Sequence, residues 1–68
     1  MQDYRVILKN KRKKLGLSQY KLAEKLGTSQ TFLSEIERGR KNPSLEQFFR
    51  ICEALDIQFF PGEEDGQA

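Results

Sequence analysis

Gly16, Gly27, Gly39, Pro43 and Pro61 cut this chain into segments of helical length, joined by connections of only a few residues. Within the segments apolar residues recur at helical spacing, and no stretch alternates apolar and polar residues for long enough to make a strand. The pattern predicts an all-α bundle. Sixty-eight residues make one domain, and a chain of this size buries only about 60% of the surface its unfolded form exposes. All the helices must therefore share one core.

Each segment carries its own start signal. Asp3 can cap a first helix in which Tyr4, Leu8, Arg12 and Leu15 fall on one face, so an arginine sits inside an otherwise apolar stripe. Ser18 can cap a second helix whose inward residues are Leu22, Ala23 and Leu26, with Gly27 free to adopt a left-handed ending. Ser29 can cap a third, with Phe32, Leu33 and Ile36 turned inward and Glu37 one turn beyond Leu33, on the inner edge of the same stripe. Ser44 with Gln47 reads as a capping box for a fourth, in which Leu45, Phe48, Cys52 and Leu55 face inward and Phe49 and Ile51 flank them. Residues 1–60 are expected to form the domain. Residues 61–68, acidic, small and polar, are expected to be a disordered tail.

Composition excludes several kinds of chemistry. Histidine and tryptophan are absent and Cys52 is the only cysteine, so the chain cannot assemble a zinc cluster, an internal disulfide or a histidine-based acid/base pair. Neither an enzyme, a metal nor a cofactor is expected. Net charge is only +2, but residues 1–42 hold eleven Lys/Arg against four Asp/Glu and residues 43–68 one against six, a split of about +7 and −5. Such asymmetry suggests one side that meets a polyanion and another that repels it. No apolar run approaches the roughly 20 residues of a membrane span. A cytoplasmic location, with Cys52 a reduced thiol, is expected.

Ala23, Gly27, Leu33 and Ile36 together meet a narrow specification. Two helices joined by a tight turn need a small residue where they approach, a residue tolerant of positive φ in the turn, and apolar residues on the second helix facing back. That is the requirement of a helix-turn-helix unit.

At these residues the sequence resembles the phage-repressor and Cro type of helix-turn-helix domain, also called Xre-type or lambda-repressor-like. The stretches that carry the resemblance are "GLSQ", "LAEKLG", "LSEIERG" and "NPSLEQ", within residues 11–57. The resemblance implies a compact four- to five-helix bundle with a short C-terminal extension. It implies sequence-specific binding of double-stranded DNA by a dimeric transcriptional regulator. Too few residues precede Pro61 to build a regular fifth helix.

Carried to positions, the resemblance puts Ser29, Gln30, Thr31, Ser34 and Glu35 on the face of a recognition helix that enters the major groove. Their chemistry agrees, since Gln can pair with adenine, Thr can bond a base or touch a thymine methyl, and Glu can accept from cytosine. Gln19, Arg40, Lys41 and Asn42 correspond to contacts with the DNA backbone. Lys11 and Lys14 are further candidates for the positive surface. Arg12 and Glu37 correspond to a structural ion pair linking the first helix to the end of the recognition helix. Tyr20 and Phe32 are read as packing or sugar-phosphate residues rather than base-stacking ones, and Cys52 as a small core residue.

Phe49, Ile51, Phe59 and Phe60 amount to more apolar surface than a monomer of this size readily hides. They predict a homodimer through the fourth helix and the C-terminal hydrophobic tail. The leading function is a repressor occupying an inverted-repeat operator. A second reading remains open, in which the same DNA-binding body is an antitoxin that also neutralises a partner toxin.

Overall fold

The computed structural model describes residues 3–57. Four helices follow in order: α1 (Tyr4–Lys14), α2 (Gln19–Leu26), α3 (Gln30–Glu37) and α4 (Leu45–Ala54). The expectations for Phe59, Phe60 and residues 61–68 lie outside the described residues.

Local chemistry starts every helix. The side chains of Asp3, Ser18, Ser29 and Ser44 accept from the backbone N–H groups of Arg5, Lys21, Phe32 and Gln47 at 3.0–3.2 Å. Each satisfies a donor that has no partner within the helix, a contribution of about 1 kcal/mol. At α4 the exchange is reciprocal, because Gln47 Oε1 also accepts from the Ser44 backbone at 2.8 Å. The α2–α3 connection turns on Gly27, whose φ of 71° lets the Thr28 N–H reach back to the Ala23 carbonyl at 2.9 Å. A side chain at this φ would be strained, which is why glycine stands there.

The core forms where the four apolar faces meet. Leu8 of α1, Leu22, Ala23 and Leu26 of α2, Leu33 and Ile36 of α3, and Ile51, Cys52 and Leu55 at α4 are buried in one cluster. Tyr4 and Phe48 close its edge with their rings at 88° and centroids 5.4 Å apart. Leu22 and Leu55 are essentially sealed from solvent, and truncating either to alanine would cost about 2–5 kcal/mol. Burial also pushes the Cys52 thiol above its ordinary pKa, which makes it a core filler with little thiolate character.

Three expectations about inward faces need correction. Leu15 is 45% exposed although it keeps helical geometry, its N–H bonded to the Lys11 carbonyl at 3.0 Å; the chain turns out of the helix at Gly16, whose φ is 75°. Leu17 takes its place against the core, its N–H bonded to the Arg12 carbonyl at 3.0 Å. Leu45 is 69% exposed; it is in phase with Phe48 and Cys52 but lies in the first turn of α4, beyond the reach of the packed helices. Ile51, placed on the flank, is instead a core residue and adds nothing to the exposed apolar surface.

Candidate nucleic-acid interface

The N-terminal turn of α3 is a polar projection held from behind. Ser29, Gln30 and Thr31 are exposed, and Ser34 and Glu35 follow one turn later, half-buried. Leu33 and Ile36 fix the opposite face into the core and leave the polar one outward. α2 and α3 thus form the two-helix unit that the spacing of Ala23, Gly27, Leu33 and Ile36 specified.

The far end of α3 is anchored by charge. Arg12 Nε lies 2.8 Å from Glu37 Oε2 and Arg12 Nη2 lies 3.1 Å from Oε1, a two-pronged pair whose side chains are 8% and 7% exposed. The remaining arm of the guanidinium, Nη1, donates to the Leu17 carbonyl at 2.8 Å. Gln19 Nε2 donates to Glu37 Oε1 at 2.9 Å. Burial alone would raise the pKa of Glu37, but the hydrogen bonds from Arg12 and Gln19, with the positive charges of Arg12 and Lys9, outweigh it and hold the carboxyl below its ordinary value. The acid is therefore ionised and internally neutralised. It presents no negative charge to a polyanion.

The loop after α3 folds back on that helix. Gly39 adopts a φ of 82°, and the Arg40 and Lys41 backbone amides both turn to the Glu35 carbonyl, at 2.8 and 3.3 Å. Their side chains remain exposed, with Lys41 Nζ 6.0 Å from the centre of the Phe32 ring. Of the positions read as backbone contacts, Arg40, Lys41 and Asn42 thus lie together on this turn. Gln19 stands apart, half-buried beside Glu37, its one side-chain hydrogen bond occupying one of its two amide hydrogens. Lys14 is exposed and Lys11 half-buried on α1.

One residue of this region has no local signal in the sequence. Arg5, at the start of α1, donates through Nη2 to Asn42 Oδ1 and through Nη1 to Asp3 at 3.4 Å, with its guanidinium 4.7 Å from the centre of the Tyr4 ring. Its main partner lies 37 positions away, and only the folded chain brings them together. Arg50 Nη2 caps the end of α2 by donating to the Leu26 carbonyl at 2.8 Å, beside a cavity of about 150 Å³ bordered by Gly27, Thr28, Phe32 and Ile51.

This arrangement can be set beside known proteins. The helix-turn-helix family pattern matches residues 8–60, most of the chain. The chain belongs to the helix-turn-helix family. An archaeal relative from Methanothermobacter thermautotrophicus, described as an uncharacterized HTH-type transcriptional regulator, is 38% identical over 66 residues, 91% of this chain and 96% of its own length. The immunity repressor protein of Bacillus phage phi105 is 47% identical over 47 residues, 69% of this chain but 33% of the repressor. The regulator SinR of Bacillus subtilis is 39% identical over 51 residues, 74% of this chain and 46% of its own length. The chain thus spans nearly all of the archaeal relative and less than half of the other two. No solved structure matches it significantly.

At the level this family sets, the helix-turn-helix protein is a DNA-binding regulator of transcription and not an enzyme. Among the described residues no helix is long and apolar enough to cross a membrane.

Proposed function

We propose that the protein is a cytoplasmic repressor that binds an inverted-repeat operator as a homodimer and acts by occluding the promoter. In this reading α3 enters the major groove of each half-site, with the half-sites about one helical turn apart. Ser29, Gln30, Thr31, Ser34 and Glu35 face the base edges, and Gln19, Arg40, Lys41 and Asn42 hold the phosphates. The supporting observation is the division of α3 itself: an exposed polar first turn, an apolar face locked in the core, and a neutralised acid at its far end. Leu45 and Phe49, one turn apart on α4, offer an apolar strip to a second subunit.

The experiment is titration of the protein against a selected palindromic duplex and an unrelated duplex, over a range of salt concentrations. Binding led by phosphates weakens steeply as salt rises, and the palindrome binds more tightly at every salt concentration. A flat salt response, or equal affinity for the two duplexes, would contradict the reading. Purification in fixed stoichiometry with a second protein, which loses toxicity when bound, would favour the antitoxin alternative.

A further inference from the structure

We infer that Arg5 is a positioning residue for DNA binding, acting through Asn42 rather than on the DNA. This rests on the phosphate-binding role proposed above for the turn Arg40–Asn42 and names the device that prepares one of its donors.

An asparagine carboxamide has two unlike edges, an oxygen that only accepts and an NH2 group that only donates. Beside a phosphate the donor edge attracts and the oxygen edge repels, so an exposed asparagine that rotates freely is a poor phosphate ligand. Asn42 is exposed, but it does not rotate freely. Its Oδ1 accepts from Arg5 Nη2. A guanidinium has no acceptor, so the atom it holds must be the oxygen. The NH2 edge is then turned away from Arg5, on the exposed turn that carries Arg40 and Lys41.

Arg5 is itself fixed. Its side chain is 19% exposed, Nη1 bonds Asp3, and the guanidinium lies over the Tyr4 ring. Among the described residues its Nε is buried without a hydrogen-bond partner, and a Cβ placed on Gly39 would lie 3.6 Å from that nitrogen. The arginine is therefore wedged between the start of α1 and the turn after α3. Swinging it out to a phosphate would undo all of these contacts. Its charge serves the interface by ordering a neighbour's donor in advance, which spares the turn that ordering cost when DNA arrives.

A double-mutant cycle tests this. Wild type, Arg5→Gln, Asn42→Ala and the double variant are titrated against a fluorescent duplex of arbitrary sequence, about two helical turns long, because phosphate contacts do not depend on sequence. All four are assayed well below their melting temperatures. Each single variant is expected to bind about three- to tenfold more weakly, the range of one hydrogen bond. The double variant is expected to bind within about twofold of the weaker single one, because both changes remove the same contact. In the Asn42→Ala background, Arg5→Gln leaves the slope of log affinity against log salt unchanged, whereas an arginine touching phosphate directly would lower it by about 0.9.

Losses that multiply, a fall in that slope, or an unchanged affinity for Arg5→Gln would overturn the inference. Should Arg5→Gln fail to fold, Arg5→Lys goes through the same cycle, since it keeps the charge and the stem but offers a single nitrogen in place of the two that bond Asp3 and Asn42. Wild type that binds no duplex at all would overturn the proposed function itself, an outcome separable from wild-type binding with independent losses.

Discussion

Gln19, the first residue of α2, donates to Glu37, the last residue of α3, over 2.9 Å. The same carboxylate oxygen takes Arg12 from α1 at 3.1 Å, so three helices meet at one acid. A buried ion pair adds little over apolar packing, but removing one partner strands the other in the interior.

Arg12→Ala and Glu37→Ala are each expected to destabilise the fold by about 3–5 kcal/mol. That is a large share of the total for a domain of this size, and DNA binding falls with it. Urea denaturation gives the measurement. A loss below about 1 kcal/mol would mark the pair as surface decoration. Gln19→Ala, which leaves the pair intact, is expected to cost about 1 kcal/mol.

Acid should weaken the protein through the same group. The folded pKa of Glu37 lies below its ordinary value of 4.5, so under acid the unfolded chain binds the proton more readily. The stability from this group is complete above that ordinary value and is lost as pH falls through the lowered one. Denaturation midpoints measured from neutral pH down should drop in that window. Glu37→Gln should flatten this part of the profile, at the cost of lower stability at neutral pH. An unchanged acid limb in Glu37→Gln would assign the effect to other carboxylates.

Much of this could be read before folding, for definite reasons. The caps at Asp3, Ser18, Ser29 and Ser44 act over two or three residues, so sequence alone carries them. Arg12 and Glu37 stand out in the sequence as charges on apolar stripes. Periodicity gives a helix its phase but not the length over which neighbours cover it, hence the misplaced Leu45. Nor does it show that the turn at Gly16 brings Leu17 onto the core while Leu15 stays exposed. Arg5 was illegible, because its partnership with Asn42 depends on the tertiary fold.

Base and backbone contacts should separate by substitution. Gln30→Ala is expected to cost about 1–3 kcal/mol at one base pair and to relax the preference there. Lys41→Ala should weaken all sequences alike and reduce the salt slope by about 0.9. Selection of binding sites from a random pool reads the first, and anisotropy titration at several salt concentrations the second. An unchanged selected site for Gln30→Ala would mean that the recognition face lies elsewhere.

Asp56 ends α4 with a φ of 59°, the only non-glycine residue at positive φ among the described residues. The conformation lets the Ile57 N–H bond the Cys52 carbonyl at 2.9 Å, but it strains a side chain and sets a carboxylate near the negative end of the helix dipole. Asp56→Gly should raise stability by up to about 1 kcal/mol, seen as a higher melting temperature. A fall would mean that the carboxylate has a stabilising role of its own.

Leu45→Glu tests the proposed subunit interface. Leu45 is 69% exposed, so the monomer should keep its stability within about 0.5 kcal/mol. Sedimentation should show dissociation to monomers, and affinity for a palindrome should fall towards that for a single half-site. A dimer that survives the change would place the interface elsewhere.

The network at Glu37 grips α3 at its last residue, while Ser29, Gln30 and Thr31, at the opposite end, are among the groups proposed to read DNA. The helix between these two ends is about 12 Å long, eight residues at 1.5 Å each, with Leu33 and Ile36 packed into the core along it. Tilting its root by roughly 10° would carry the tip some 2 Å sideways, more than the tolerance of a hydrogen bond to a base edge. Changes in α1 or α2 that reset this root could then alter which operator is preferred without any new residue touching DNA.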